Sequence, residues 1–228
     1  MEGAASCVTQ PRTITMKRSS AFKPLLLVAA LISATAQAHF VWLEPGPVPG
    51  ETKAYFGEWA DDVRESESGY LKLLTAPRGV AADEKSVSVT RASDHLALKG
   101  PTTGDARLVT GYLNDKGVLS LYQPKSGRSD TVARHALELV PTAANSNSFT
   151  LLLNGKPLPA KEVVVFGPPK WSKTFHTDKE GRVTLLTPWS GQYVVEVGHL
   201  DKDAGGQWDG KPYTHTRHVS TLTFQVAP

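Results

Sequence analysis

The chain has 228 residues, of which 25 are Lys or Arg and 22 are Asp or Glu, so its formal net charge at pH 7 is +3. This near balance argues against nucleic acid as a partner, because such proteins carry a strong basic patch or stripe. The sequence has one cysteine, Cys7, and no apolar stretch of the length that a transmembrane helix needs. We therefore expect no stable membrane insertion of the mature chain.

Residues 1–38 have the composition of a Sec-type signal peptide. A basic start and an apolar run over 25–34 are followed by an A-x-A cleavage site that ends at Ala38. The apolar run is shorter than the roughly 20 residues of a membrane-spanning helix. We expect cleavage before His39 and a periplasmic mature protein, with full secretion as the alternative.

The predicted signal peptide, residues 1–38, which we call the leader, also accounts for the positive net charge and contains the one cysteine. Residues 1–15 differ in character from the signal that follows, so we expect translation to begin at Met16. Removing 1–38 takes four of the 25 basic residues and one of the 22 acidic residues, which leaves 21 of each sign. It also removes Cys7. The mature protein is thus expected to have no thiol and no disulfide, and to depend on its core for stability.

Short β-like runs separated by turn-forming residues follow the leader, and none has helical periodicity. The predicted strands of the first region lie at 86–90, 107–113, 118–124 and 135–141. The segment NDKG at 114–117 predicts a hairpin turn between two of them. The charged segment DDVRESES at 61–68 predicts an exposed loop.

The distribution of turn formers predicts two β domains, at 39–140 and 149–228, joined by a linker at 141–148. In the second domain an Asn-Gly turn separates two strands, and the final run HVSTLTFQV places alternate residues on one face. Strands at this spacing, with turns between them, predict an all-β protein built as an antiparallel β-sandwich.

Three segments of the second domain form a recognisable pattern. They are GKPLPAKEVVV at 155–165, TDKEGRVTL at 177–185 and GQYVVEV at 191–197. This region resembles the transthyretin-like and carboxypeptidase-regulatory-like Ig modules. The resemblance implies an Ig-like or transthyretin-like sandwich, but no particular activity, because such folds carry many functions.

His39 is the first candidate ligand. Cleavage after Ala38 would expose an α-amine on the same residue as an imidazole, and their reference pKa values are about 7.7–8.0 and 6.5. Together they can chelate one ion, as in the copper histidine brace, and imidazole suits copper, nickel and zinc. The alternative is that His39 stands at the cleavage point by chance.

Four further histidines complete the predicted metal ligands. His199 ends one strand, while His215 and His218 begin the last one, so these three imidazoles are expected to lie near each other. His215 and His218 have opposite parity, so both reach one ion only through a bulge. His135 is a possible ligand from the first domain, with a buried or edge histidine as the alternative.

The start of the mature chain, AHFVWLEP at 38–45, is similar to that of an exported family of unknown-function domains found with nickel and cobalt uptake genes. The matching positions are His39, Trp42, Leu43 and Pro45. The resemblance implies a periplasmic, metal-handling β protein with a nickel-uptake-transporter-like role.

These observations favour a binding protein for a divalent transition metal ion (nickel, cobalt or copper) that delivers it to a membrane transporter component. One alternative is a copper monooxygenase-like enzyme, which needs a second histidine beside His39. The other is a carbohydrate-binding or adhesion module that stacks sugars on Trp171, Trp189 and Trp208. We expect no enzyme, since hydrolase motifs are absent and thiol catalysis needs a cysteine.

Overall fold

A computed structural model describes residues Met1, Gly3, 39–80, 86–99 and 104–228. Every element described below lies in one compact unit, Gln37–Pro228. The predicted signal peptide and cleavage site lie outside the described residues, apart from Met1 and Gly3. In the described part, no helix has the length and apolar character needed to cross a bilayer.

Strands make up nearly all of the regular structure. The first nine are β1 (Phe40–Pro45), β2 (Glu51–Glu58), β3 (Val63–Arg64), β4 (Thr75–Val80), β5 (Ser86–Arg91), β6 (Leu96–Lys99), β7 (Ala106–Leu113), β8 (Val118–Ser126) and β9 (Leu137–Pro141). The others are β10 (Ser148–Leu153), β11 (Lys156–Pro157), β12 (Glu162–Gly167), β13 (Trp171–His176), β14 (Arg182–Thr184), β15 (Gly191–Asp201), β16 (Gly206–Trp208), β17 (Lys211–Tyr213) and β18 (His215–Val226). Short 3₁₀ turns cover Trp59–Asp61 and Leu71–Leu73.

One large sheet organises the molecule. Its strand order is β1-β2-β6-β5-β4-β7-β8-β18-β15-β12-β13, with β3 added to β2. All of these pairs are antiparallel except β8 and β18, which run parallel. A smaller sheet contains β9, β10, β11 and β14, and β16 pairs with β17. The prediction of an all-β, antiparallel β-sandwich is confirmed.

The large sheet folds over itself, so that β1 packs on β8 and β18, and the Thr221 hydroxyl donates a hydrogen bond to the Val41 carbonyl at 2.7 Å. The smaller sheet covers the opposite face. Successive residues of β15 accordingly enter different cores, with Val194 in one and Val195 in the other. We call them the first core, which contains Phe40 and its neighbours, and the second core, which contains Phe149 and its neighbours. Large members of the first core include Phe40, Trp42, Phe56 and Tyr122, and those of the second include Phe149, Leu151, Tyr193 and Phe224.

Local turn chemistry explains the hairpins. The Asn114 side-chain oxygen accepts hydrogen bonds from the backbone N–H groups of Lys116 and Val118, which closes the predicted turn between β7 and β8. Asn154 and Gly155 both have positive φ values, 50° and 78°, as a two-residue hairpin turn requires.

The segment 141–148 connects β9 to β10, which pair with each other. The division of the chain into domains 39–140 and 149–228 at this segment stays a prediction.

Candidate functional site

His39 lies immediately before β1, where the pairing of β1 with β2 sets its neighbour. Phe40 is paired with Gly57, so His39 stands across from Glu58, the last residue of β2. The Nδ1 atom of His39 is 3.2 Å from Oε1 of Glu58. The His39 ring packs edge-on against Phe56, with 5.4 Å between ring centroids, which places it at the margin of the first core.

A tight hairpin brings a second carboxylate to the other side of the ring. After β2 the chain reverses, and the Glu65 backbone N–H donates a hydrogen bond to the Phe56 carbonyl at 2.8 Å. The Nε2–H group of His39 then donates to Oε1 of Glu65 at 2.7 Å. Gly57 permits this reversal, because its φ is +149° and an added Cβ would lie 2.1 Å from the Val63 carbonyl oxygen.

Both ring nitrogens of His39 face carboxylates, which only accept hydrogen bonds. The shorter contact, from Nε2 to Glu65, favours a proton on Nε2, and Nδ1 can donate an electron pair when an ion lies between it and Glu58. Two ligand atoms on one ion at metal–ligand distances of about 2.1 Å lie about 3.0–3.4 Å apart in square or tetrahedral geometry. The separation of 3.2 Å between Nδ1 and the Glu58 oxygen fits adjacent coordination positions.

Side chains alone do not complete a metal site there. Among the described residues, no group of three or more His, Cys, Asp or Glu side chains has the arrangement to hold an ion. His39 and Glu58 supply two donors, and a third is the His39 α-nitrogen once it is a free amine. The His39 and Glu58 side chains remain accessible, at 31% and 23% exposure, so an ion can reach them.

A cavity of about 440 Å³ opens beside His39. Its polar lining groups are His39, Tyr70, Tyr112, Asn114, Ser120, Tyr122 and Arg217. Burial raises the pKa of the Tyr122 hydroxyl above its ordinary value, and the nearby Arg217 charge opposes that rise. The polar part of the cavity wall thus includes three phenol groups and one guanidinium.

Glu196 lies on the face of the large sheet that is turned toward the first core. It is paired with Thr221 on β18 and has the parity of Val194, whose side chain belongs to the first core. Burial raises the pKa of the Glu196 carboxyl to about 7, and the Arg217 charge only partly opposes this.

His199 and His218 lie on the opposite face of the sheet. They are directly paired between β15 and β18, with 6.4 Å between ring centroids, and share the parity of Val197 in the second core. Burial lowers the pKa of both imidazoles. The Nδ1 atom of His199 is buried without a hydrogen-bond partner among the described residues. The structure thus brings His199 and His218 together but separates them from His39.

The remaining predicted ligands have other surroundings. His215 begins β18 opposite Val118, and its Nδ1 lies 2.7 Å from the Thr214 hydroxyl. His135 is buried, and its Nε2–H donates to the Pro124 carbonyl at 3.3 Å. Neither residue contacts His39 in the described structure.

Burial of His135 lowers its pKa to about 4, and the cations Arg107 and Lys125 act in the same direction. The nearby Glu138 carboxylate binds Arg107 at 2.8 Å and Lys125 at 3.1 Å, inside the protein. We call Arg107, Lys125, Glu138 and His135 the buried charge cluster. Asp130 also pairs with Arg107 at 2.7 Å, and Asp105 with Lys125 at 3.2 Å. Each of these carboxylates is thus already held by a buried cation, so the chemistry of the cluster is that of a structural ion-pair network.

The sequence reasoning did not identify Glu58 and Glu65. The segment that contains Glu65 was predicted only as an exposed charged loop, whereas the Glu65 side chain is 16% exposed against His39. The available signal was local: a glycine at 57 between two β-like segments, with acidic residues on each side of the reversal.

The tryptophans and the aromatic neighbours of His39 bear on the alternative functions. Trp171 and Trp189 meet edge to face at 5.6 Å, so they present no shared flat surface, and the Trp208 N–H donates to the Thr75 hydroxyl. In the described structure the rings packed on His39 are Phe56 and Tyr70 rather than a second imidazole.

No family model and no curated protein matches the chain. A solved structure described as "Biofilm associated protein - BSP domain" aligns with 78% of this chain at 14% sequence identity and a TM-score of 0.21. The chain spans 28% of the length of that protein. A likeness at this TM-score carries no argument about fold or function.

Proposed function

We propose that the mature protein is a periplasmic binding protein for a divalent transition metal ion, nickel, cobalt or copper, which it holds at His39. The observation that carries the proposal is the position of the His39 ring between two carboxylates, with Glu65 on Nε2 and Glu58 beside Nδ1.

Each group has a separate role. The α-amine and Nδ1 of His39 chelate the ion, and Glu58 adds an oxygen ligand. Glu65 acts on the ion through the imidazole, because a carboxylate on the distal ring nitrogen orients the ring and increases its basicity. Three protein donors leave at least one coordination position open on a four-coordinate ion. A partly open site at the surface suits a protein that passes the ion to a membrane transporter component.

The donors narrow the choice of ion without fixing it. Amine and imidazole nitrogen atoms suit copper and nickel, and affinity among the divalent ions increases from cobalt through nickel to copper. A single carboxylate oxygen is compatible with all three. The proposal does not require His135, His199, His215 or His218 as ligands of this ion.

Native mass spectrometry of the exported protein tests the proposal. We expect a mass that begins at His39 and one retained ion after exposure to Cu(II), Ni(II) or Co(II) and a mild competing chelator. His39→Ala should lose the ion, whereas the matched variant His215→Ala should keep it. A mature protein that retains no ion, or that begins at another residue, would overturn the proposal.

A further inference from the structure

The cavity beside His39 contains one full positive charge. Arg217 lines it together with His39, and this residue lies on β18 between Ser120 of β8 and Leu200 of β15. The guanidinium makes no ion pair within the residues that the structure describes. The cavity therefore presents a guanidinium that is available to an incoming anion.

The carboxyl group best placed to neutralise Arg217 is the buried Glu196, and it does so incompletely. Burial raises the pKa of the Glu196 carboxyl to about 7, so near neutral pH this carboxyl compensates Arg217 less than a fully ionised carboxylate would.

Apart from His39, this lining has no strong ligand for a bare metal ion. Arg217 repels a cation in the cavity, and the other polar groups are phenols, a hydroxyl and an amide. The volume of about 440 Å³ is within the range of small-molecule sites, about 300–1,000 Å³. Guanidinium groups pair with carboxylates through two parallel hydrogen bonds, and the tyrosines offer hydroxyl groups and apolar ring faces.

We propose that the cavity receives the metal ion as a complex with a small organic carboxylate chelator, whose free carboxylate pairs with Arg217 while His39 binds the ion. This inference rests on the proposed function, since it requires an ion at His39. The chelator occupies the coordination positions that His39 and Glu58 leave open. Tyr70, Tyr112 and Tyr122 surround the organic part.

Native mass spectrometry and isothermal titration with citrate complexes of Cu(II), Ni(II) and Co(II) test the inference. We expect a ternary mass of protein, ion and citrate. Citrate should bind about tenfold more weakly to metal-loaded Arg217→Gln, because a charge-assisted pair is lost. Affinity for the ion alone should be unchanged or slightly higher in that variant. The matched control Arg182→Gln, at an exposed residue that begins β14, should bind citrate like the wild type.

The outcomes separate the two proposals. Citrate that strips the ion without a ternary complex would overturn the carboxylate inference and leave metal binding at His39 intact. Equal citrate affinity in wild type and Arg217→Gln would also overturn it. A complex of the ion with tris(2-aminoethyl)amine, which has no carboxylate, should not be retained, and equal retention of it would contradict the role of Arg217. Failure of the wild type to bind any of the three ions would overturn both proposals.

Discussion

The two faces of the sheet formed by β8, β18 and β15 use histidine in different ways. On the first-core face His39 is partly exposed, contacts two carboxylates and borders a cavity. On the second-core face His199 and His218 face each other across two strands, with burial lowering the pKa of both. From the sequence alone, all three histidines are candidate metal ligands.

The difference shows that neighbouring groups, rather than residue type, decide what a histidine can do. A carboxylate on the distal nitrogen prepares an imidazole for metal coordination. On the second-core face, burial instead lowers the pKa of His199 and His218, and in the described structure no carboxylate is hydrogen-bonded to either ring. In the buried charge cluster, burial likewise lowers the pKa of His135, to about 4, although the Glu138 carboxylate opposes this shift.

The largest expected effect tests whether the buried charge cluster is structural. Glu138 compensates Arg107 and Lys125 and accepts the His135 backbone N–H, all inside the protein. Glu138→Gln should lower the free energy of unfolding by about 3 kcal/mol, because it removes the carboxylate that Arg107 and Lys125 share. Each buried cation then keeps one acidic partner, Asp130 or Asp105. Urea unfolding measures this, and exposed Glu180→Gln is the control, expected within about 0.5 kcal/mol of wild type. A loss below about 1 kcal/mol would contradict a structural role.

The second-largest expected effect is a pH dependence of the free energy of unfolding, which arises from Glu196 on the first-core face. The folded-state pKa of Glu196 is raised to about 7 from the ordinary value of 4.5, so the folded protein holds the proton more tightly than the unfolded chain. Stability is therefore lost as the pH rises through this window. Glu196→Gln should be more stable than wild type by about 2–3 kcal/mol at pH 8 and equal to it at pH 4. Unfolding curves at both pH values check this, and a gain at pH 4 alone would contradict the burial argument.

The metal affinities of the variants His39→Ala and His218→Ala test whether the ion binds on the first-core face. Loss of the chelating imidazole should weaken binding by about 100-fold, near 2.7 kcal/mol. His218→Ala should change affinity by less than about twofold, since it lies on the other face. Competition titration with a coloured chelator gives both values. A larger loss in His218→Ala would place the site on the second-core face.

A smaller effect is expected from Glu65→Gln, which removes the carboxylate from Nε2 but retains an acceptor oxygen. Loss of such a partner weakens metal affinity by about 10-fold to 100-fold, and we expect the lower end. The metal-free variant should unfold at the same urea concentration as wild type. Unchanged metal affinity in Glu65→Gln would show that this carboxylate does not act through the imidazole.

The strands were predictable because alternation and turn residues are local signals. The Asn114 and Asn154 turns, and the alternate positions of β18, are visible in the sequence. The parallel pairing of β8 with β18 was not visible, because it joins segments far apart in the chain. That pairing puts Arg217 beside Ser120 and Tyr122 and so creates the cavity.

The candidate site was predictable only in part for the same reason. His39 could be selected from the predicted cleavage site and its chemistry alone. Glu58 and Glu65 reach it through the register of β1 on β2 and the chain reversal between β2 and β3, which depend on strand pairing. Separating His39 from His199 and His218 required knowing which core covers each sheet face.

The most direct measurement compares two proteins that differ by one residue: a chain that begins at His39, and the same chain with one glycine placed before it. The central claim is that the free α-amine and Nδ1 of His39 bind the ion together. The account predicts that the added glycine weakens Cu(II), Ni(II) or Co(II) binding by about 100-fold or more, because the chelate with the α-amine is lost. Equal affinities of the two proteins would contradict the account.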